Sequence, residues 1–201
     1  MSFGVHQLNE FHASVQGKAV VFLVPDRQTN LLLARLFLAS AAAAEVSCHV
    51  LDMDAFYASN SVSIAEGFSQ QEMKDIQLQI PTIRAGGEVV PEFFPYTDEG
   101  FVVIDDLNSL YHTFSSADEG TAGRKLTFLV QSLSFMARTN RLTILATVYE
   151  RERPVFTRRR RLFAGLGDAS VSARREGGLL ALRCDRGAIW PGRTLILSIR
   201  P

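Results

Sequence analysis

The densest chemistry in the sequence lies late in the chain, in Arg151-Glu-Arg-Pro-Val-Phe-Thr-Arg-Arg-Arg-Arg-Leu162. Guanidinium forks grip phosphate oxygens two at a time, and about four to six such contacts give an affinity for nucleic acid that depends on salt rather than on base sequence. Arg151, Arg153, Arg158, Arg159, Arg160 and Arg161 are the candidate phosphate ligands, and Phe156 sits among them where a ring can stack on an unpaired base. Arg174, Arg175, Arg183 and Arg186 extend the patch if the last strands fold beside it. The plainer reading is a solvated basic loop, or a surface that pairs with acids on a neighbouring subunit.

Carboxylates form the second group. Asp105 and Asp106 close the apolar run Gly100-Phe-Val-Val-Ile, and Asp54 closes another, Ser47-Cys-His-Val-Leu-Asp-Met. As structural residues they cap the turns that follow buried strands. His6, His12, His49 and His112 have no serine or cysteine nucleophile at motif spacing, no HExxH and no clustered carboxylates, so neither a hydrolase nor a zinc site is supported. Cys48 and Cys184 lie in apolar, strand-like contexts, which reads as buried free thiols in a reducing compartment. Trp190, in a turn between Ile189 and Pro191, reads as a packing anchor.

These groups need elements to position them. Lys18–Val24 is a continuous apolar run, the pattern of a strand buried on both faces. Pro25-Asp26-Arg27-Gln28 breaks it, Thr29–Glu45 is rich in good helix formers, and Ser47–Asp54 is a second strand. That is a strand, a helix and a strand with the dimensions of a right-handed parallel unit. A helix near Ser69–Ile76 and a strand Ile80–Ile83 are expected next, with Gly86, Gly87, Pro91 and Pro95 marking loops. Gly100–Asp106 is the clearest strand. Leu107–Phe114 reads as a short helical turn, Ser115–Gly123 as a small polar loop, Arg124–Asn140 as an amphipathic helix and Arg141–Val148 as a strand. Tyr149–Phe163 is a charged loop, and Gly177–Cys184 and Thr194–Ile199 are short strands without further helices. The expected fold class is α/β: a mostly parallel central sheet flanked by helices, ending in antiparallel hairpin strands. One domain is expected, with residues 1–16 as an extension, 17–148 as the core and 149–201 as basic loop and hairpins.

Order and spacing resemble the ATPase core of the RecA/RadA recombinase superfamily, which includes recombinase paralogues and KaiC-like proteins. The matching stretches are Val20–Glu45, Val50–Asp54, Phe101–Asp105 and Arg124–Val148, and the resemblance runs from about Gly17 to the end. It implies that Asp105 stands at the Walker B position and Asp54 where an activating acid would be. It also implies that the segment after Val148 occupies the place of a DNA-binding loop. The departures carry as much information. A phosphate loop wants G-x-x-x-x-G-K-[ST], whose glycines let backbone N–H groups wrap phosphates. Here Pro25, Asp26, Arg27, Gln28 and Thr29 fill that stretch, with no glycine and no lysine. Proline removes a donor, and Asp26 sets a negative charge where phosphate would lie. Ala146-Thr147-Val148 lacks the family's sensor glutamine. The expectation is therefore a degenerate Walker A, no ATP or magnesium as cofactor, and no ATPase activity.

Composition and charge frame the partner. The 201 residues are 47% hydrophobic and 21% charged, ordinary for a globular chain. No apolar run approaches a membrane span, and the first 16 residues carry no signal-peptide pattern, so an intracellular setting is expected. Net charge is zero, yet residues 141–201 hold 13 Arg against 5 acids, a balance of +8 that leaves −8 for residues 1–140. Attraction to nucleic acid must then be local and orienting. The resemblance implies a noncatalytic accessory protein of DNA recombination or repair. Its partners would be DNA, or RNA, and a recombinase or RecA-like paralogue subunit in a homo- or hetero-oligomer. The alternatives are a ring subunit like those of Elongator-type complexes binding transfer RNA, an ATPase with a rearranged pocket, and a KaiC-like regulator.

Overall fold

The computed structural model describes residues 3–53, 56–60, 76–79, 100–117, 119–150, 163, 165–187, 189–190 and 194–199. Its elements in chain order are α1 (Val5–Val15), β1 (Ala19–Val24), α2 (Arg27–Ala43), β2 (Cys48–Asp52), α3 (Phe56–Ser59), β3 (Ile76–Gln79), β4 (Gly100–Asp105), α4 (Leu107–Ala117), α5 (Glu119–Asn140), β5 (Leu142–Tyr149), β6 (Ala169–Glu176), β7 (Leu179–Arg186) and β8 (Thr194–Ser198). The strands form one sheet in the order β3-β2-β4-β5-β1-β6-β7-β8. Pairing is parallel from β3 through β6, and antiparallel for β6 with β7 and β7 with β8. Among the described residues no helix is long and apolar enough to cross a membrane.

The continuous apolar run of β1 is explained by two cores. Val20, Phe22 and Val24 point to one face, where α1 and α2 lie, while Ala19, Val21 and Leu23 point to the other, under α4 and α5. Strand β4 divides likewise, Phe101 and Val103 to the first face and Val102 and Ile104 to the second. A strand covered on both sides has no position for a polar residue until it reaches its end. On the first face Phe11, Phe22 and Phe37 form an aromatic cluster with ring centroids 5.0–6.3 Å apart.

Four local expectations are corrected. Ile76 begins strand β3 instead of ending a helix; residues 69–75 and the strand at 80–83 lie outside the described residues. The polar stretch after Phe114 is helical wherever it is described: α4 runs on to Ala117 and α5 starts at Glu119, with Ala122 fully buried. Packing of α4 on α5 outweighs the weak helix propensity of Ser, Thr and Gly there. The first residues, read without structure, form α1, which buries Leu8, Phe11 and Val15 at helical spacing. Strand β6 was also missed: it carries Ser170 and Ser172 among its apolar residues, yet all of Ala169–Ala173 is buried because β6 pairs with β1 on one side and β7 on the other. Two glycines make this end of the sheet possible. A Cβ on Gly167 (φ +71°) would meet the Ala19 carbonyl oxygen at 2.6 Å, and Gly177 (φ +60°) turns the chain between β6 and β7.

Cys48 and Cys184 are buried and free, and burial pushes the Cys48 thiol up to about 12. Trp190 is buried in the first core, as its packing role required. His49 is 6% exposed on β2, and neither ring nitrogen has a hydrogen-bond partner among the described residues. Desolvation lowers its pKa and that of His12, whose ring lies 5.4 Å from that of Phe101. Depressed values mean the unfolded chain takes up protons first. Their contribution to stability is therefore complete above about pH 6.5 and is lost as pH falls through the lowered values. Thermal melts are expected to drop between pH 7.5 and pH 5, and the His12→Gln/His49→Leu double variant to drop less steeply; equal slopes would contradict the burial cost.

Candidate functional site

The parallel strands deliver their carboxyl ends to one edge of the sheet, where ligands of open α/β folds bind. The turn from β1 into α2 lies there. Asp26 is extended (φ −152°, ψ 166°) and its side chain caps α2: Oδ1 accepts from the Thr29 N–H at 2.8 Å, and Oδ2 from the Thr29 hydroxyl at 3.0 Å. The helix start is thus occupied by the chain's own carboxylate. Arg27 does not turn inward; its guanidinium lies 5.6 Å from the Phe56 ring centre. Gln28 accepts from Arg175 on β6 at 2.8 Å. Asp26→Ala is expected to cost about 1 kcal/mol through the lost cap, or about 2–4 °C in melting temperature for a domain of this size.

Asp105, fully buried at the end of β4, is the second part of the site. The Asn30 amide, one turn into α2, donates to its Oδ1 at 3.2 Å and to Oδ2 at 3.4 Å. The Thr147 hydroxyl on β5 donates to Oδ1 as well, and the same Asn30 amide donates to the Tyr149 hydroxyl at 2.8 Å. One buried network therefore ties β4, α2 and β5 together. Asp106 caps α4 by accepting from the Ser109 N–H at 2.5 Å, as expected of an acid after a strand. The peptide bond between the two aspartates is cis. In β2, Asp52 pairs in register with Asp105 and is also fully buried.

Of the sequence-derived site residues, Pro25, Asp26, Arg27, Gln28, Thr29 and Asp105 gather at this edge. Asp54 and the whole basic group Arg151, Arg153, Phe156, Arg158, Arg159, Arg160 and Arg161 lie outside the described residues. The chain enters that segment from the same edge, since β5 ends at Tyr149 and the Glu150 N–H donates to the Val24 carbonyl at 2.8 Å. Pro25, Asp26, Glu150, Arg174, Arg175 and Glu176 line an open hollow of about 340 Å³ there. Asn30 and Tyr149 were missed by sequence reasoning, and nothing in their local pattern marks them. At the opposite edge, outside this site, the Asp168 Oδ2 accepts from the Ala19 N–H at the start of β1 at 2.9 Å and pairs with Arg138 at the end of α5.

No protein-family model matches the chain, and no curated protein matches it. Among solved structures, the crystal structure of the RadB recombinase superposes with a TM-score of 0.62 at 16% identity, covering 92% of this chain and 89% of that one. The fold is RecA-like. At this identity the likeness concerns the fold, and it agrees with the mixed sheet: parallel strands flanked by helices, with antiparallel strands at the C-terminal end.

Proposed function

We propose that this RecA-like domain is a noncatalytic accessory protein of DNA recombination or repair, acting beside a recombinase or another RecA-like subunit and touching DNA through its arginine-rich segment. The observation that carries the reading is the capped start of α2. A nucleoside triphosphate needs backbone N–H groups and a cation around its phosphates, whereas here Pro25 has no N–H, Asp26 spends its carboxylate on the helix start and Arg27 lies against Phe56. The residues present do not fit the group. Asp105, which a magnesium-dependent site would turn toward a metal-bound water, accepts from Asn30 and Thr147 instead. The likeness to a recombinase supports the process, and the charge of residues 141–201 supports a polyanionic partner.

The test uses the full chain. Titration with a fluorescent ATP analogue and magnesium is expected to give no saturable binding, and no phosphate release. Anisotropy with single- and double-stranded oligonucleotides is expected to give binding that weakens steeply with salt. Measurable turnover abolished by Asp105→Asn would instead establish an ATPase with a rearranged pocket. Absence of salt-sensitive binding, together with no association with a recombinase in sedimentation, would overturn the accessory role.

A further inference from the structure

Helix α5 buries Ala122, Leu126, Val130, Leu133 and Ala137 against the sheet, so its opposite face should be polar. Two of its residues break that pattern: Phe128 and Phe135 are 74% and 70% exposed, on the order of 300 Å² of aromatic surface between them. Their combined area reaches the lower end of the largest apolar patches on ordinary monomers, here split into two rings about 10.5 Å apart along the axis with Gln131 between them. Both lie on one stripe with Arg124, Gln131 and Arg138, all exposed. At 3.6 residues per turn these five positions fall within about 80° of each other and run about 21 Å along the axis.

Their spacing is informative. The steps from Arg124 to Phe128, Gln131, Phe135 and Arg138 are 4, 3, 4 and 3 residues, the alternation of a coiled-coil seam, with the two phenylalanines at equivalent positions one heptad apart. Beside Phe128 the surface dips into an open hollow of about 470 Å³ lined by Gly120, Gly123, Arg124, Thr127, Phe128 and Gln131. Gly120 and Gly123 in its lining present no side chain to an approaching backbone. The seam is also cationic. Arg124 stands at its start with Lys125 beside it, off the stripe, and Arg138 stands at its end, paired with Asp168, while Glu119 is the one acid in the α5 sequence. A second copy of α5 is a poor match, because a parallel pair sets Arg124 on Arg124 and an antiparallel pair sets Arg124 on Arg138. A nucleic acid is a poor match too, since it offers no apolar groups at heptad spacing to a straight helix face.

We propose that the outer face of α5 is a docking seam for an amphipathic helix of another protein, one with apolar side chains seven residues apart and acidic residues flanking them. This rests on the fold and on α5 alone, so failure of nucleotide exclusion, of DNA binding or of recombinase association leaves it standing. The probe is obtained by display selection: helical peptides with a randomised face are selected on the full chain, and the enriched sequence is synthesised. The expected consensus has leucine, phenylalanine or methionine one heptad apart with aspartate or glutamate beside them. The peptide should bind about tenfold or more weaker to Phe128→Ser/Phe135→Ser. It should also bind several-fold weaker to Arg124→Glu/Lys125→Glu, with recovery when the peptide's acids become lysines. All four positions are on the surface, so melting temperatures should match wild type. Selection of basic or non-helical peptides, or binding unmoved by either variant pair, overturns the proposal. So does loss of oligo-dT binding on Phe128→Ser, which assigns the face to nucleic acid. A wild-type dimer made monomeric by that change assigns it to a second copy and likewise overturns the proposal.

Discussion

Changing Arg158, Arg159, Arg160 and Arg161 together to alanine is expected to remove most of the salt dependence of DNA binding. Each guanidinium that neutralises a phosphate releases a condensed counterion, so four contacts contribute a slope of about −3.6 in log K against log salt on duplex DNA. Between 50 and 200 mM salt, those four contacts should account for a fall on the order of a hundredfold, so the variant should be weaker at low salt and lose affinity with salt much less steeply. Lysine at the same positions should restore the slope while giving up bidentate geometry. Phe156→Ala makes a different demand: about 1–3 kcal/mol lost on single strands and little on duplex, because only an unpaired base offers its face for stacking. Slopes identical in wild type and the fourfold variant would place the phosphate contacts elsewhere and reduce Arg158–Arg161 to a solvated run.

Asp105→Ala should destabilise the protein on the order of 3 kcal/mol, seen as a fall of roughly 6–12 °C in melting temperature. The carboxylate is fully buried and accepts from Asn30 and Thr147, so its removal leaves a hole beside donors drawn from two other elements. Hydrogen bonds to a charged group contribute about 1.5–3 kcal/mol each, and an orphaned buried donor costs the full desolvation of that group. Asp105→Asn retains one acceptor oxygen and should lose less. The effect should appear on unfolding, in urea or heat, and a variant as stable as wild type would contradict the network.

Much of the fold was legible because burial on both faces writes itself into a strand. The runs Lys18–Val24, Gly100–Asp106 and Arg141–Val148 match β1, β4 and β5 to within a residue or two, since each must be apolar throughout. Other elements could not be read so directly. Strand β6 carries Ser170 and Ser172 and ends in Arg174, Arg175 and Glu176, a pattern that says strand only once its neighbours β1 and β7 are known. Helix α1 does show Leu8, Phe11 and Val15 at helical spacing, but an isolated helix of that length is marginal and is held by the core beneath it.

The candidate site divides in the same way. The absence of glycine and lysine after β1 and the presence of Asp26 were visible in the residues, because the chemistry of phosphate cradling demands particular types at fixed spacing. That Asp26 caps α2, and that Asp105 is met by Asn30 from 75 residues away and Thr147 from 42, could come only from tertiary structure. Hydrogen bonding across elements has no sequence period. The sequence by itself determined the alternating strands and helices, the split of charge and the absence of a G-x-x-x-x-G-K-[ST] pattern after β1, through local propensity and composition. The tertiary structure decided which polar groups satisfy one another at the sheet's edge and which face of α5 is left open, because burial depends on what the other elements cover.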